Sequence, residues 1–190
     1  MTGEDFEGAE LGAVEHEGVA FEECDFTDAS TAGARFADCR FVECRFGGSR
    51  HDGSAFTNCT FTGARFFDAA FTGCKLVGST FDRCTFEHLT VDGGDWSFAV
   101  LRGADLRRTV FRDVRMRDAD LDLARCDGAT LSGVDLAGAS LRRTSFVHAD
   151  LRGSDVSSLD PEMPELFRGA IIEPEQAVIL ATVLGFDVRG

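Results

Sequence analysis

The sequence predicts an all-β solenoid of four-sided cross-section ending in one α-helix, and three observations carry that prediction. Every fifth residue from Phe6 to Val156 belongs to one apolar register; of these thirty-one centres twenty-three are Phe or Leu, and only His16, Thr31 and His51 are plainly polar. Two places before each centre the residue is small, Glu4 and Leu89 being the exceptions. Charged pairs twenty residues apart between residues 4 and 158 are opposite in twelve cases and alike in four, whereas a spacing of fifteen gives seven against ten.

A period of five fits neither regular element. On a helix the centres would advance about 140° each time and smear over the surface; on a strand, alternate centres would change face. The backbone must turn once per repeat, with a large and a small residue on the inner side of a short extended stretch. Two residues past the centre, Gly occurs fourteen times, as at Gly63, Gly103 and Gly153, and relieves the corner. Stacked repeats of this kind form a solenoid. Residues one coil apart lie about 4.8 Å from each other, so opposite charges favour that spacing and like charges oppose it. Asp82, Arg102, Asp122, Arg142 and Lys75, Asp95, Arg115, Asp135 carry the twenty-residue signal. Four repeats per turn give about eight coils over residues 1–160, the first of two predicted units.

The seven cysteines follow the register. Cys24, Cys39, Cys44, Cys59, Cys74 and Cys84 take the small inner slot and Cys126 a centre, where free thiols act as small apolar residues. Cys24 with Cys44, and Cys39 with Cys59, are one coil apart, a separation that permits a disulfide by distance alone; in a reducing compartment thiols are expected. Cys39 and Cys44 lie around a corner with no partnering pair, so zinc is not expected, nor any other cofactor. His51 lies one coil from Thr31 and is expected to hydrogen-bond to it inside the core. His16 is another inner centre, while His88 and His148 should face solvent. No nucleophile, base and acid set can be assembled from these residues. Phosphate-loop and dinucleotide motifs are absent, and Gly93-Gly94 reads as a corner. No enzyme is expected.

Charge is uneven. Residues 1–28 hold ten acids and no Lys or Arg, within a chain of net charge −14. Like charge at an exposed coil edge keeps rods from stacking end to end and keeps them in solution; a partner surface is the other reading.

The register breaks at Pro161, and residues 161–190 form the second predicted unit, a cap and dimerisation segment. Leu166 and Ile171 fall back in phase, which predicts a frayed last coil. Pro174 to Gly185 reads as a helix, with Pro174 in its first turn, Glu175 favourable to its dipole and Gly185 as its stop. Val178, Ile179, Leu180, Val183 and Leu184 wrap most of its circumference, and Phe186 adds apolar surface. One solenoid end cannot bury them all, so these six residues are the expected homodimer interface, with the other face capping the coil. Two rods of roughly 38 Å joined there would span about 75 Å, the length of about 22 base pairs of duplex. No signal pattern opens the chain and no run approaches the roughly 18 apolar residues of a membrane span. A cytoplasmic location without membrane partners is therefore expected.

The repeats resemble the pentapeptide-repeat family, whose motif is a small residue, Asp or Asn, Leu or Phe, a polar residue, then often Gly. Ala104-Asp105-Leu106-Arg107, Ala119-Asp120-Leu121-Asp122 and Ala149-Asp150-Leu151-Arg152-Gly153 carry it most clearly. The resemblance implies a right-handed quadrilateral β-helix of pentapeptide repeats; the handedness comes from the resemblance alone. A Phe-rich first half, a Leu-rich second half and a helix rich in Ala, Val and Leu make the chain similar to the mycobacterial fluoroquinolone-resistance branch of that family. That likeness implies a dimeric mimic of B-form DNA which binds and inhibits DNA gyrase and does not itself bind nucleic acid. Carboxylates would stand where phosphates lie, and the residues expected to do so are Glu10, Glu15, Glu17, Glu22, Glu23, Asp28, Asp118, Asp120 and Asp122. Plasmid-borne quinolone-resistance members carry projecting loops, for which the unbroken phase here leaves no room. The belt Arg35, Arg40, Arg45 and Arg50 would repel a basic groove locally. A self-resistance protein shielding gyrase from a natural toxin, and an interaction scaffold without a topoisomerase partner, stay open beside this reading.

Overall fold

Each side of the molecule is a parallel ladder in which a residue pairs with the one twenty positions later. In the computed structural model, which describes residues 1–159 and 163–189, Glu15, His16 and Glu17 pair with Arg35, Phe36 and Ala37, and Phe21 pairs with Phe41. Twelve three-residue strands are assigned among the described residues, from Glu15–Glu17 to Thr130–Ser132. They occupy about six turns, fewer than the eight predicted. Beyond them the ladder continues as isolated bridges, such as Thr2 with Glu22 and Asp150 with Ile171. Outer turns have a neighbour on one side only, so fewer consecutive bonds form there.

The core is a set of stacked side chains. Phe21, Phe41, Phe61 and Phe81 stack at ring separations of 4.9, 4.8 and 4.9 Å with interplanar angles of 4°, 8° and 5°. The spacing is that of the ladder itself, and rings on adjacent sides meet edge to face, as for Phe21 and Phe26. Corners fall two residues past each centre and adopt the left-handed conformation. Gly supplies it without steric cost, but Glu23 and Asp28 also adopt it, each at φ 55°. Gly94, in an inner slot, is required for a different reason: a Cβ there would overlap the backbone of Cys74.

The cysteines sit where the register places them, and the thiols of the six in inner slots donate to carbonyls of the preceding coil, Cys44 Sγ to Phe21 O at 3.4 Å for example. Six are buried and Cys84 is partly exposed. Burial pushes the Cys44 and Cys59 thiols up to about 12. The core histidine is also as read: Thr31 Oγ1 lies 2.6 Å from His51 Nδ1, and Ser49 Oγ lies 2.9 Å from Nε2.

The last coil departs from expectation. The register break at Pro161, and with it the predicted unit boundary at 160–161, lies outside the described residues. Past them the ladder has slipped by one: Asp150 pairs with Ile171, twenty-one positions on. Phe167 stacks on Phe146 at 6.5 Å, and Ile172 packs against the core. Leu166 and Ile171 therefore do not take the inner centres, and Ile171 is exposed. A slip of one residue exchanges inner and outer side chains. A 3-10 turn, Pro164–Phe167, leads to helix α1, Pro174–Val183, with Gly185 just beyond at φ +87°.

Candidate partner surfaces

Acidic residues in this fold divide by position in the repeat. An Asp immediately before a centre turns its carboxylate back onto the backbone two residues on: Asp25 Oδ1 accepts from Thr27 N at 2.9 Å, and Asp95 Oδ1 from Ser97 N at 3.0 Å. These carboxylates shape the turn. Asp5, Glu7 and Asp25 come within 4.8 Å of one another, but Asp5 and Asp25 serve such turns and Asp25 is paired with Arg45. Acids after a centre, or at a corner, project outward, with Asp122 the exception.

This division sorts the predicted contact residues. Glu10, Glu17, Glu22, Glu23 and Asp28 are exposed and have no ion-pair partner among the described residues. Glu15 is exposed, 3.9 Å from Arg35. They lie around successive sides and corners of the first coils. Asp118 is an exposed corner residue. Asp120, in the turn-capping position, accepts from Asp122 N at 3.0 Å and is half-buried.

Asp122 does not belong to the surface. It is 2% exposed. Ser140 Oγ donates to it at 2.6 Å, Arg142 Nε at 2.9 Å and Arg102 Nη1 at 3.2 Å. Burial alone would raise its carboxyl, but the bonds from Ser140 and Arg142 outweigh that and hold it at about 2. The arginines stacked above and below, which made it look like one link in an exposed charge ladder, fold over it instead. Of the arginine belt, Arg45 is bonded to Asp25 and Arg50 lies 3.3 Å from Asp68, which leaves less free positive charge than the sequence suggests.

Helix α1 has one docked face and one free face. Gln176 is buried; its Nε2 donates to Leu151 O and Ser154 O, both at 2.7 Å, and its Oε1 accepts from Glu173 N at 2.7 Å. It caps open carbonyls of the last coil. Leu180 packs against the core on the same side, so it is a capping residue and does not share the free face. Val178, Ile179, Val183, Leu184 and Phe186 are exposed, Phe186 at 65%. Among the described residues no helix is long and apolar enough to cross a membrane.

A profile of the pentapeptide repeat region matches residues 64–141, and one of pentapeptide repeats matches residues 39–76, so the matches together span more than half of the chain. The chain belongs to the pentapeptide-repeat family. Among solved structures, this pentapeptide-repeat protein is similar to two trypsin-treated forms of QnrB1, a plasmid-mediated fluoroquinolone resistance protein. One has a TM-score of 0.60 at 22% identity, covering 100% of this chain and 96% of that one. The other has 0.58 at 20%, covering 99% of each. HetL, a pentapeptide repeat protein involved in heterocyst differentiation regulation in the cyanobacterium Nostoc, gives 0.44 at 18%, covering 88% of each chain. At these identities the likeness is one of fold. No curated protein sequence matches.

Two features of this pentapeptide-repeat protein escaped the sequence reading. The turn-capping role of the pre-centre Asp had a signal, since Asp recurs at that position, as in Asp95, Asp105 and Asp120. The docking role of Gln176 had a weaker one, an uncharged polar side chain in the first turn of a mostly apolar helix.

Proposed function

We propose that this chain is a DNA-mimicking protein that binds DNA gyrase, inhibits it, and so lowers the damage quinolones do on the enzyme–DNA complex. The observation that carries the proposal is the group of exposed carboxylates on the first coils without an ion-pair partner among the described residues, Glu10, Glu17, Glu22, Glu23 and Asp28, held on a stiff ladder. Such a rod offers a basic duplex-binding groove fixed negative charge at regular intervals, and its preorganisation limits the ordering cost of binding. The free face of α1 supports a twofold junction that would set two acidic coils at opposite tips. The fold shared with a plasmid-mediated fluoroquinolone resistance protein is consistent with this reading.

Titration of the purified protein into a gyrase supercoiling assay at several salt concentrations tests it. Inhibition that fades as salt rises is expected, because exposed charges are screened within about 8–10 Å at moderate ionic strength. Supercoiling untouched at low salt would refute it and favour a scaffold with another partner.

A further inference from the structure

Among the described residues rungs are missing from the ladder at its end, as between Asp135 and Asp155 beside the register break, and at one place in its interior. Between the coil starting near Thr80 and the next, three sides are bridged, at Thr80 with Val100, Thr90 with Val110, and Asp95 with Arg115. On the fourth side Thr85 and Asp105 form no bridge, although Arg65 with Thr85 and Asp105 with Arg125 do so directly above and below. The backbone bonds fail together. One coil earlier, Phe66 N and Asp68 N donate to Thr85 O and Glu87 O, each at 2.9 Å. Their equivalents Phe86 N and His88 N have no acceptor among the described residues, nor does Asp105 N.

Side chains part at the same place. Glu87 and Arg107 are one coil apart with opposite charge, yet Arg107 bonds Asp105 at 2.6 Å. Asp82 is paired with Arg83 at 3.0 Å, and Arg102 turns to Asp122 at 3.2 Å. A groove of about 500 Å³ opens between Cys84–Glu87 and Asp105–Arg108, and Cys84 is only partly buried there. The ring stack on this side stretches from 4.9 Å between Phe6 and Phe26 to 5.6 Å between Phe66 and Phe86, and ends at Leu106. Leu89, the bulky exception among the inner-slot residues, follows on the same coil and is buried.

We propose that this opening is a joint dividing the rod into two stiff arms, which pivot about the opposite, intact side at Asp95 and Arg115. Closure would bring Phe86, His88 and Asp105 back into ladder register and set Glu87 against Arg107. The interior coil pairs that are bridged on all four sides stay rigid, because a bend there would break bonds that here are already absent. The joint is a property of the rod whichever partner it meets.

The joint can be tested directly in the folded chain. Spin labels on Arg65→Cys and Arg125→Cys in a Cys84→Ser background straddle the joint by three rungs, about 14 Å along the rod. Labels on Asp5→Cys and Arg65→Cys span three rungs within one arm. A broader distance distribution across the joint is expected; equal widths would overturn it. A Thr85→Cys/Asp105→Cys pair should cross-link under mild oxidation, since closure brings the two Cα atoms within disulfide reach. A pair that never cross-links in the folded protein would also overturn it. In the unsubstituted chain, the Phe86 and His88 amides should exchange about a hundredfold or more faster than those of Phe66 and Asp68. Equal protection would mean the opening does not exist in solution.

Discussion

Thr31 Oγ1 lies 2.6 Å from Nδ1 of His51, one coil on, and both side chains are buried. Burial, and then the neighbouring Arg50 charge, lower the His51 imidazole to about 3 from an ordinary value of 6.5. The folded state therefore keeps His51 neutral while the unfolded chain binds a proton below pH 6.5. Stability should fall as pH drops from 6.5 toward 3, by up to about 1.4 kcal/mol per pH unit from this group. His51→Phe, which continues an aromatic stack above Phe71, should remove that component from urea unfolding midpoints measured across the range. An unchanged pH dependence would show that His51 is not the titrating group.

Asp122 gives a slope at lower pH. Its folded carboxyl, at about 2 against an ordinary 3.8, contributes stability that is present above pH 4 and lost as pH falls toward 2. Asp122→Ala should lower unfolding stability by about 1.5–3 kcal/mol at neutral pH, the range for hydrogen bonds to a charged group. Its effect on gyrase inhibition at matched folded concentration should be small, because the carboxylate does not face solvent.

Leu123 adopts a left-handed corner, φ 63°, with its side chain 48% exposed. An L side chain in that conformation costs about 1–2 kcal/mol, while glycine adds about 0.5–1 kcal/mol of backbone entropy cost. Leu123→Gly should therefore raise thermal stability slightly, by up to about 1 kcal/mol. A lower Tm would mean that the leucine makes packing contacts which outweigh the strain.

The two faces of α1 should separate by mutation. Leu184→Asp, on the free face, is expected to give a monomer in light scattering with an unchanged unfolding transition. Gln176→Ala leaves carbonyls of the last coil without their donor and should destabilise the C-terminal coils by about 1–3 kcal/mol. A dimer that survives Leu184→Asp would refute the junction.

Charge reversal on the first coils addresses the proposed partner. Glu17→Lys combined with Glu22→Lys should weaken supercoiling inhibition several-fold and flatten its salt dependence, with circular dichroism unchanged. Full potency in the double variant would place the contact elsewhere.

What the chain order of residues determined by itself is the repeat geometry. A period of five that never slips from Phe6 to Val156 forces a turn per repeat, and a period of twenty in charge sets four sides. From those two numbers the stacked phenylalanines, the thiols in their inner slots and the Thr31–His51 bond all follow, because stacking at a fixed rise leaves inner neighbours no choice. Outside the core that logic weakens. Arg102 stands equally over Asp82 and Asp122 in sequence, and only the folded chain decided that it turns to Asp122 while Asp82 pairs with Arg83. The one-residue slip that puts Phe167 and Ile172 inward, and the docking of Gln176, were likewise decided by tertiary packing at the end of the coil. There the next rung is missing, and open carbonyls accept whichever donor reaches them.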